Sequence, residues 1–210
     1  MGEPGSILEE TIEKLKNLQA MGLEYISVVP PAPPEPCEAF ARVNKDVRSC
    51  TNCSRHGGGV KAALGIGRED ARVVFVSDSS STEQAGPFSK AEKELLSNMI
   101  KAMGLSMDEV YLTSLVRCDC EDAPGSDEIE ACLPFLKDEL DIINPVAIVA
   151  MGRVTAHLVA PDVEFANLRG IMRSLDDIPL MITYHPRALI KDPGLKRAAW
   201  EDLKKVMALL

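Results

Sequence analysis

The chain has 210 residues, 46% of them hydrophobic and 26% charged, and a formal net charge of −9. This length suits one α/β domain with a full core and one appended segment. The sequence has no run of about 18 consecutive apolar residues, and its first residues lack the basic and apolar regions of a signal peptide. These features exclude a membrane-spanning class, and we expect a soluble, cytoplasmic monomer without a membrane partner.

The charges are unevenly distributed along the chain. Residues 1–40 contain seven acidic residues and two lysines, a net charge of −5. Residues 165–210 contain eight basic and five acidic residues, a net charge of +3. Because phosphate contacts require Lys and Arg, the C-terminal quarter is the part of the sequence best suited to bind a nucleic acid. The alternative is that these charges form ordinary solvated faces.

A proline-rich stretch separates a short N-terminal segment from the rest. Ser6 can cap an amphipathic helix that ends near Met21. PPAPPEP at residues 30–36 is typical of a stiff, extended linker, and Cys37 beside it is predicted to be an unbound thiol. We therefore predict an acidic helix and linker at residues 1–36, which we expect to dock on a protein partner, and a domain at residues 37–210.

Four apolar runs in this domain predict β-strands that alternate with helices. The predicted strands are residues 71–78, 110–116, 146–151 and 180–183. The predicted helices are a short one before Cys50, then residues 90–103, 126–143 with Ser126 as cap, 152–159 and 193–210. This alternation predicts a three-layer α/β fold with a central, mostly parallel four-stranded sheet between helices. Such sheets bind ligands at the carboxyl ends of their strands.

Six cysteines without a secretory signal indicate metal ligands, catalytic groups or core residues rather than disulfides. Cys50 and Cys53 form a C-x-x-C pair, and Cys118 and Cys132 follow far downstream. Four thiolates can bind zinc or hold a cubane iron–sulfur cluster, and the remaining alternative is a set of unconnected buried cysteines. A thioredoxin-like redox pair is disfavoured because this C-x-x-C precedes the first predicted strand. Cys120 is an alternative ligand to Cys118.

Nine short motifs follow one another along the domain. They are CTNC (50–53), VFVSDSSS (74–81), GPFSK (86–90), YLTSLVRC (111–118), ACLPFL (131–136), AMG (150–152), LRG (168–170), TYHPRAL (183–189) and WEDL (200–203). In order and with compatible gaps, they resemble the motifs of the iron–sulfur, family 4 uracil-DNA glycosylases. The corresponding family segments include GEAPG after the first strand, YITNVVKC and TYHPS. The resemblance covers about residues 40–210 and implies the uracil-DNA glycosylase fold.

The resemblance implies a cofactor and a pair of catalytic residues. Cys50, Cys53, Cys118 and Cys132 would hold a [4Fe-4S] cluster with a structural role. Asp78 would stand in place of the family glutamate that orients water and offsets the positive charge on the sugar.

His185 would hydrogen-bond the oxygen of the leaving base. From residue type alone, Asp78 could instead cap a turn, and His185 could be a structural imidazole.

The resemblance also implies the residues that contact base and DNA. Phe88 would stack on the flipped base, with Ser79 and Ser114 beside it, although a core position for Phe88 is an equal alternative. Arg187 and Leu189 could enter the gap that the base leaves, and Lys191 would contact DNA as well.

Several site positions depart from the family pattern. GEAPG is replaced by Ser77, Asp78, Ser79, Ser80 and Ser81. The carboxylate is thus one methylene shorter, and a displacement of about 1 Å can lower a rate about a hundredfold. Ser114 replaces the asparagine that reads uracil and cannot offer a bidentate donor and acceptor pair. Arg187 replaces the serine of TYHPS. These changes predict a divergent branch with altered uracil selectivity.

Three functions are compatible with these residues. The first is a hydrolase of base excision repair that removes uracil or another deaminated base from damaged DNA, with Asp78 and His185 as its catalytic pair. The second is an iron–sulfur protein of the same fold that binds DNA or a repair partner without excising uracil. The third is a zinc- or cluster-bearing redox protein that shares only the sheet.

Overall fold

The computed structural model describes residues 38–56, 62–80, 86–119, 123–160 and 162–210. The predicted helix and linker at residues 1–36 lie outside the described residues, as do Cys37 and Cys120. The helices are α1 (Glu38–Arg48), α2 (Lys90–Ala102), α3 (Ser126–Ile143), α4 (Phe165–Leu168), α5 (Pro186–Lys191) and α6 (Lys196–Met207). The strands are β1 (Ile66–Gly67), β2 (Val73–Ser80), β3 (Val110–Asp119), β4 (Ala147–Met151), β5 (Met172–Leu175) and β6 (Ile178–Thr183).

The strands form a six-stranded sheet in the order β1-β3-β2-β4-β6-β5. The four central strands are parallel and are the four that the apolar runs predict. The two edge strands pair antiparallel and were not predicted. β1 has two exposed residues, and β5 has only one buried residue of four, so neither carries the apolar run that identifies a central strand.

Side chains alternate between the two faces of the sheet, and each face is covered by helices. Val74 and Val76 of β2 belong to the cluster that includes Leu136 of α3. Val73 and Phe75 belong to the opposite cluster, which includes residues of α2 and α6. The predicted three-layer architecture is therefore confirmed.

Several helix boundaries differ from the predictions. The N-cap of α3 is Gly125 rather than Ser126, and its N–H is bound by the Glu128 carboxylate. The helix predicted at residues 152–159 is only a 3-10 turn, Thr155–Leu158, and the last helix begins at Lys196 after a second such turn. The short helices α4 and α5 were missed because four and six residues are too few for a visible period. Within the described residues, no helix is long and apolar enough to cross a membrane.

A buried ion pair connects β3 to α3. Arg117 donates from both terminal guanidinium nitrogens to the Glu139 carboxylate, at 2.9 and 2.7 Å. Tyr111 and Thr113 donate their hydroxyl protons to the same carboxylate. Since both charged side chains are almost completely buried, each requires the other for compensation.

Glu139→Ala is expected to lower the free energy of unfolding by about 3–5 kcal/mol, because it leaves the Arg117 guanidinium buried without its counter-charge. The measurement is urea-induced unfolding. Asp70→Ala is the control, since it breaks the exposed Arg68–Asp70 pair and should lower the free energy of unfolding far less. Similar losses in the two variants would contradict the assigned role of the buried pair.

Candidate functional site

A cavity of about 630 Å³ opens where β2, β4 and β6 end. These strands are neighbours in the sheet. The cavity is lined by Asp78 in the last part of β2, Gly152 directly after β4 and His185 two residues after β6. The volume is in the range of pockets that hold small ligands. The carboxyl edge of the sheet, where the sequence predicts a site, therefore contains a cavity with a carboxylate and an imidazole.

Asp78 lies in the last part of β2 and is partly buried. Its Oδ1 atom accepts the backbone N–H of Thr155 at 3.0 Å, and the carboxylate also accepts the N–H of Val154. Burial raises the pKa of Asp78 to about 6, although these hydrogen bonds and the charge of Arg187 act in the opposite direction. The carboxylate thus caps a turn, as one alternative proposed, and also lines the cavity as an anion above pH 6.

Gly152 lets Asp78 occupy this position. Its φ angle of +118° is one that residues with a side chain rarely adopt, and an added Cβ would overlap the Asp78 carboxylate. The glycine of the AMG motif is therefore required because the backbone at Gly152 lies so close to the Asp78 carboxylate.

His185 ends the loop after β6 and is the N-cap of α5. Its Nδ1 atom accepts the backbone N–H of Arg187 at 3.1 Å, so the proton of the neutral ring is on Nε2. Nε2 lies 3.0 Å from the Ser77 hydroxyl oxygen. Burial lowers the pKa of His185 to about 4, despite the nearby carboxylate of Glu92. His185 is consequently a neutral hydrogen-bond donor at physiological pH.

The predicted base-contacting residues Phe88, Ser79 and Ser114 are not among the residues that line this cavity. Phe88 is fully buried and stacks on the His185 ring, with 5.6 Å between ring centroids. Ser114 pairs with Ser77 in the β2–β3 register and is fully buried, and its hydroxyl has no hydrogen-bond partner among the described residues. Ser79 contributes its carbonyl oxygen, which accepts the Ser77 hydroxyl proton.

The predicted DNA-contacting residues of α5 differ in position. Arg187 is half-exposed, lines the cavity and donates from Nε to Glu92 at 2.8 Å. Lys191 is exposed and also lines the cavity. Leu189 is 1% exposed and lines a separate apolar groove with Trp200, so a wedge role would require α5 to move.

The cavity wall is rich in basic and aromatic side chains. Its lining includes Arg153, Arg169, Arg187 and Lys191, against the acidic residues Asp78 and Glu164. Tyr184 also lines it, between Phe165 at a centroid distance of 5.6 Å and the Arg169 guanidinium at 5.1 Å. Such a wall suits an anionic ligand with aromatic rings.

The sequence of residues 64–204, which includes Asp78, Gly152 and His185, matches the family described as the uracil DNA glycosylase superfamily. The chain belongs to the uracil DNA glycosylase superfamily.

Three relatives within this superfamily align over most of their length. The chain is 27% identical to the type-4 uracil-DNA glycosylase of Archaeoglobus fulgidus, over 80% of this chain and 92% of that protein. It is 29% identical to the type-4 enzyme of Sulfurisphaera tokodaii, over 82% of this chain and 85% of the relative. It is 28% identical to the type-4 enzyme of Thermotoga maritima, over 82% of this chain and 95% of that protein. The resemblance deduced from the motifs is confirmed.

The four predicted cysteine ligands, Cys50, Cys53, Cys118 and Cys132, all lie in the described part of the chain. Cys50 and Cys53 act electrostatically on both Cys118 and Cys132, so the four thiols lie in one neighbourhood. Burial and, to a smaller extent, the negative charge of the other three cysteine thiolates raise the pKa of Cys118 to about 11. Four thiolates here would therefore need a cationic centre between them.

No set of three or more His, Cys, Asp or Glu side chains in the described part of the chain is arranged to hold a metal ion. Zinc and an iron–sulfur cluster, the two centres that the cysteine spacing leaves open, both require four converging thiolates.

Sequence reasoning missed three contacts of this superfamily site. The hydrogen bond between Ser77 and His185 joins residues 108 positions apart, and the Glu92–Arg187 pair joins residues 95 apart. The backbone N–H of Thr155 holds Asp78 across 77 positions. None of these pairs has a local sequence signal, because each depends on the packing of the loops. Ser77 was noticed only as a departure from the family glycine.

Proposed function

We propose that this protein is a DNA-repair glycosylase that hydrolyses the N-glycosidic bond of uracil, or of another deaminated base, flipped out of DNA. The observation that carries the proposal is the pairing of Asp78 and His185 in one cavity at the ends of β2 and β6. The Asp78 carboxylate is anionic above pH 6, and the His185 imidazole is a neutral hydrogen-bond donor. Membership of the superfamily and the names of the relatives support the reaction class.

Cleavage of this bond develops positive charge on the sugar and negative charge on the departing base. Asp78 is the residue that meets the positive charge. Its ionised carboxylate stabilises the sugar cation and orients the water that attacks it. The backbone N–H groups of Thr155 and Val154 hold the carboxylate, so it does not have to reorganise during the reaction.

His185 is the residue that meets the negative charge. Its Nε2–H donates to an oxygen of the leaving base, which departs as an anion. Since the pKa of His185 is about 4, the ring acts as a neutral donor throughout the working pH range and does not transfer a full proton.

Base recognition falls to Phe88, Ser79 and Ser114. Phe88 restrains the plane of the His185 ring. Stacking of the base on Phe88 would require this fully buried ring to become accessible. The unpartnered Ser114 hydroxyl can donate one hydrogen bond or accept one, and it rotates to suit. It therefore distinguishes carbonyl from amino groups less strictly than an asparagine amide, which predicts a substrate range wider than uracil.

DNA binds along the basic wall of the cavity. Arg153, Arg187 and Lys191 are exposed or half-exposed there and reach phosphates on either side of the flipped nucleotide. The overall charge of −9 does not oppose this contact, because binding depends on the local distribution of charge.

The four cysteines Cys50, Cys53, Cys118 and Cys132 would hold a [4Fe-4S] cluster. The chemistry of the donor set fits, since it consists of four neighbouring thiols, whose thiolate forms require a cationic centre between them. A cluster held by these cysteines would connect the loop after α1, which carries Cys50 and Cys53, to β3 and α3. Cys132 adds a local link, because its sulfur accepts the backbone N–H of Arg117.

Cys132→Ser is expected to abolish iron incorporation and visible absorption, because serine replaces a buried thiolate ligand. Iron and acid-labile sulfide are measured on anaerobically purified protein. Cys37→Ser is the control, since Cys37 is predicted to be an unbound thiol, and Cys120→Ser tests the alternative ligand. Full iron content in Cys132→Ser, or loss of iron in Cys37→Ser, would contradict the assignment.

The function is tested with end-labelled oligonucleotides that each contain one uracil, hypoxanthine or xanthine, in single and double strands. Formation of abasic sites by cluster-loaded protein, with uracil among the released bases, is the expected result. Binding to these oligonucleotides without release of any base would overturn the proposal in favour of a DNA-binding protein of this fold.

A further inference from the structure

Ser77 makes a contact that the proposed reaction does not explain. It is 1% exposed, at the end of the buried part of β2, and its oxygen lies 3.0 Å from His185 Nε2. The Ser77 hydroxyl also lies 3.0 Å from the Ser79 carbonyl oxygen. A carbonyl can only accept, so the Ser77 proton points to Ser79. The Ser77 oxygen is then left as an acceptor for His185.

The other side of the imidazole confirms the direction of this hydrogen bond. The backbone N–H of Arg187 can only donate, and it occupies Nδ1. The neutral ring therefore carries its proton on Nε2 and donates it to Ser77. Arg187 selects the tautomer, whereas Ser77 determines where the proton points. Phe88 restrains the plane of the ring between these two contacts.

The hydroxyl is a feature of this chain rather than a requirement of the fold. In GEAPG, the corresponding segment of the resembling family, glycine stands in place of Ser77, so the resemblance implies that the sheet does not require this side chain. Ser80, three residues along the same strand, is also buried, yet its hydroxyl has no partner among the described residues. The bond to His185 is thus not a general consequence of burying a serine at the end of β2.

We propose that Ser77 is a positioning residue for His185, which fixes the orientation of the imidazole ring and of its Nε2 proton until a leaving base replaces Ser77 as the acceptor. This inference rests on the proposed function. Without Ser77 the tautomer persists, because Arg187 still occupies Nδ1. The ring, however, keeps only one hydrogen bond and the contact with Phe88, and Nε2–H is left buried without an acceptor until a base enters.

The first test does not depend on activity. In protein with ¹⁵N-labelled histidines, ¹H–¹⁵N correlation spectra report the Nε2 proton of each of the three histidines, and His185→Gln assigns the signal of interest. The wild-type Nε2 proton of His185 should exchange slowly with water. In Ser77→Ala it should exchange about fivefold faster or more, with Nδ1 still unprotonated. Ser80→Ala should leave the signal unchanged.

The second test separates positioning from DNA binding. In Ser77→Ala the single-turnover rate of base release should fall about five- to tenfold, while affinity for DNA stays within about twofold. Ser77→Thr retains the hydroxyl and should recover most of the rate. If Ser77→Thr does not fold, Ser77→Cys, a weak acceptor of similar size, should give an intermediate rate.

The outcomes distinguish this inference from the proposed function. An unchanged exchange rate of the Nε2 proton in Ser77→Ala overturns the inference, as does an unchanged or higher rate of base release. Wild-type protein that releases no base, but shows the protected proton and its loss in Ser77→Ala, overturns the proposed function. In that case the positioning of His185 by Ser77 still stands.

Discussion

Asp78→Asn is expected to remove base release and, at the same time, to stabilise the protein at neutral pH. The pKa of Asp78 is raised from 3.8 to about 6 in the folded state. Between these pH values Asp78 is already ionised in the unfolded chain but still protonated in the folded protein. Stability therefore falls as pH rises from about 4 to 6 and remains lower above that range. Asparagine carries no charge and removes this penalty of about 3 kcal/mol, although it accepts more weakly from Thr155 and Val154.

We therefore expect Asp78→Asn to be more stable than wild type by about 1–2 kcal/mol at pH 7.5 and about equally stable at pH 4. Thermal unfolding at the two pH values measures this difference. Loss of the carboxylate should lower base release by about 10²- to 10⁴-fold. A variant that is destabilised at pH 7.5, or that retains base release, would contradict the description of Asp78 as a buried catalytic anion.

Gly152→Ala is expected to lower base release as strongly as Asp78→Asn does. The backbone at φ +118° strains any side chain by about 1–3 kcal/mol. The new Cβ also overlaps the Asp78 carboxylate, which adds about 1–3 kcal/mol of overpacking and displaces that group. A displacement of about 1 Å can cost about a hundredfold in rate. We expect a large loss of both stability and base release.

Gly104→Ala is the matched control for this variant. Gly104 has a φ of +79° after α2, and nothing lies within 4 Å of the position of its added Cβ. It therefore carries backbone strain without a clash and should destabilise the protein with no change in base release. Equal effects of Gly104→Ala and Gly152→Ala on the rate would show that contact with Asp78 is not what requires Gly152.

The central sheet could be predicted from the sequence because its strands are buried on both faces. All five residues of β4 are buried, and such an apolar run is visible without any knowledge of its neighbours. The edge strand β5 exposes Arg173 and Ser174, and its pairing with β6 depends on a turn at Asp176 and Asp177. Its existence follows from tertiary pairing rather than from a local pattern.

The site could be predicted only in part, for a related reason. Asp78 and His185 follow recognisable strands, and their motifs resemble a known family, so their position at one edge was predictable. The pKa values of these residues were not, since they depend on burial and on the turn at Thr155. The burial of Leu189 in the groove that contains Trp200 could not be predicted either, because it depends on how α5 packs.

The most direct test of the central claim is the pH dependence of uracil release. Uracil release is measured with cluster-loaded protein at concentrations below its dissociation constant for a double-stranded oligonucleotide with one uracil. Under these conditions the rate reports kcat/KM and hence the pKa values of the free protein. We predict that the rate rises from pH 5 to a plateau above 7 with an apparent pKa of about 6, set by Asp78, and that it shows no second step from His185, whose pKa is about 4. No release of uracil at any pH, or a rate that does not change across this range, would contradict the account.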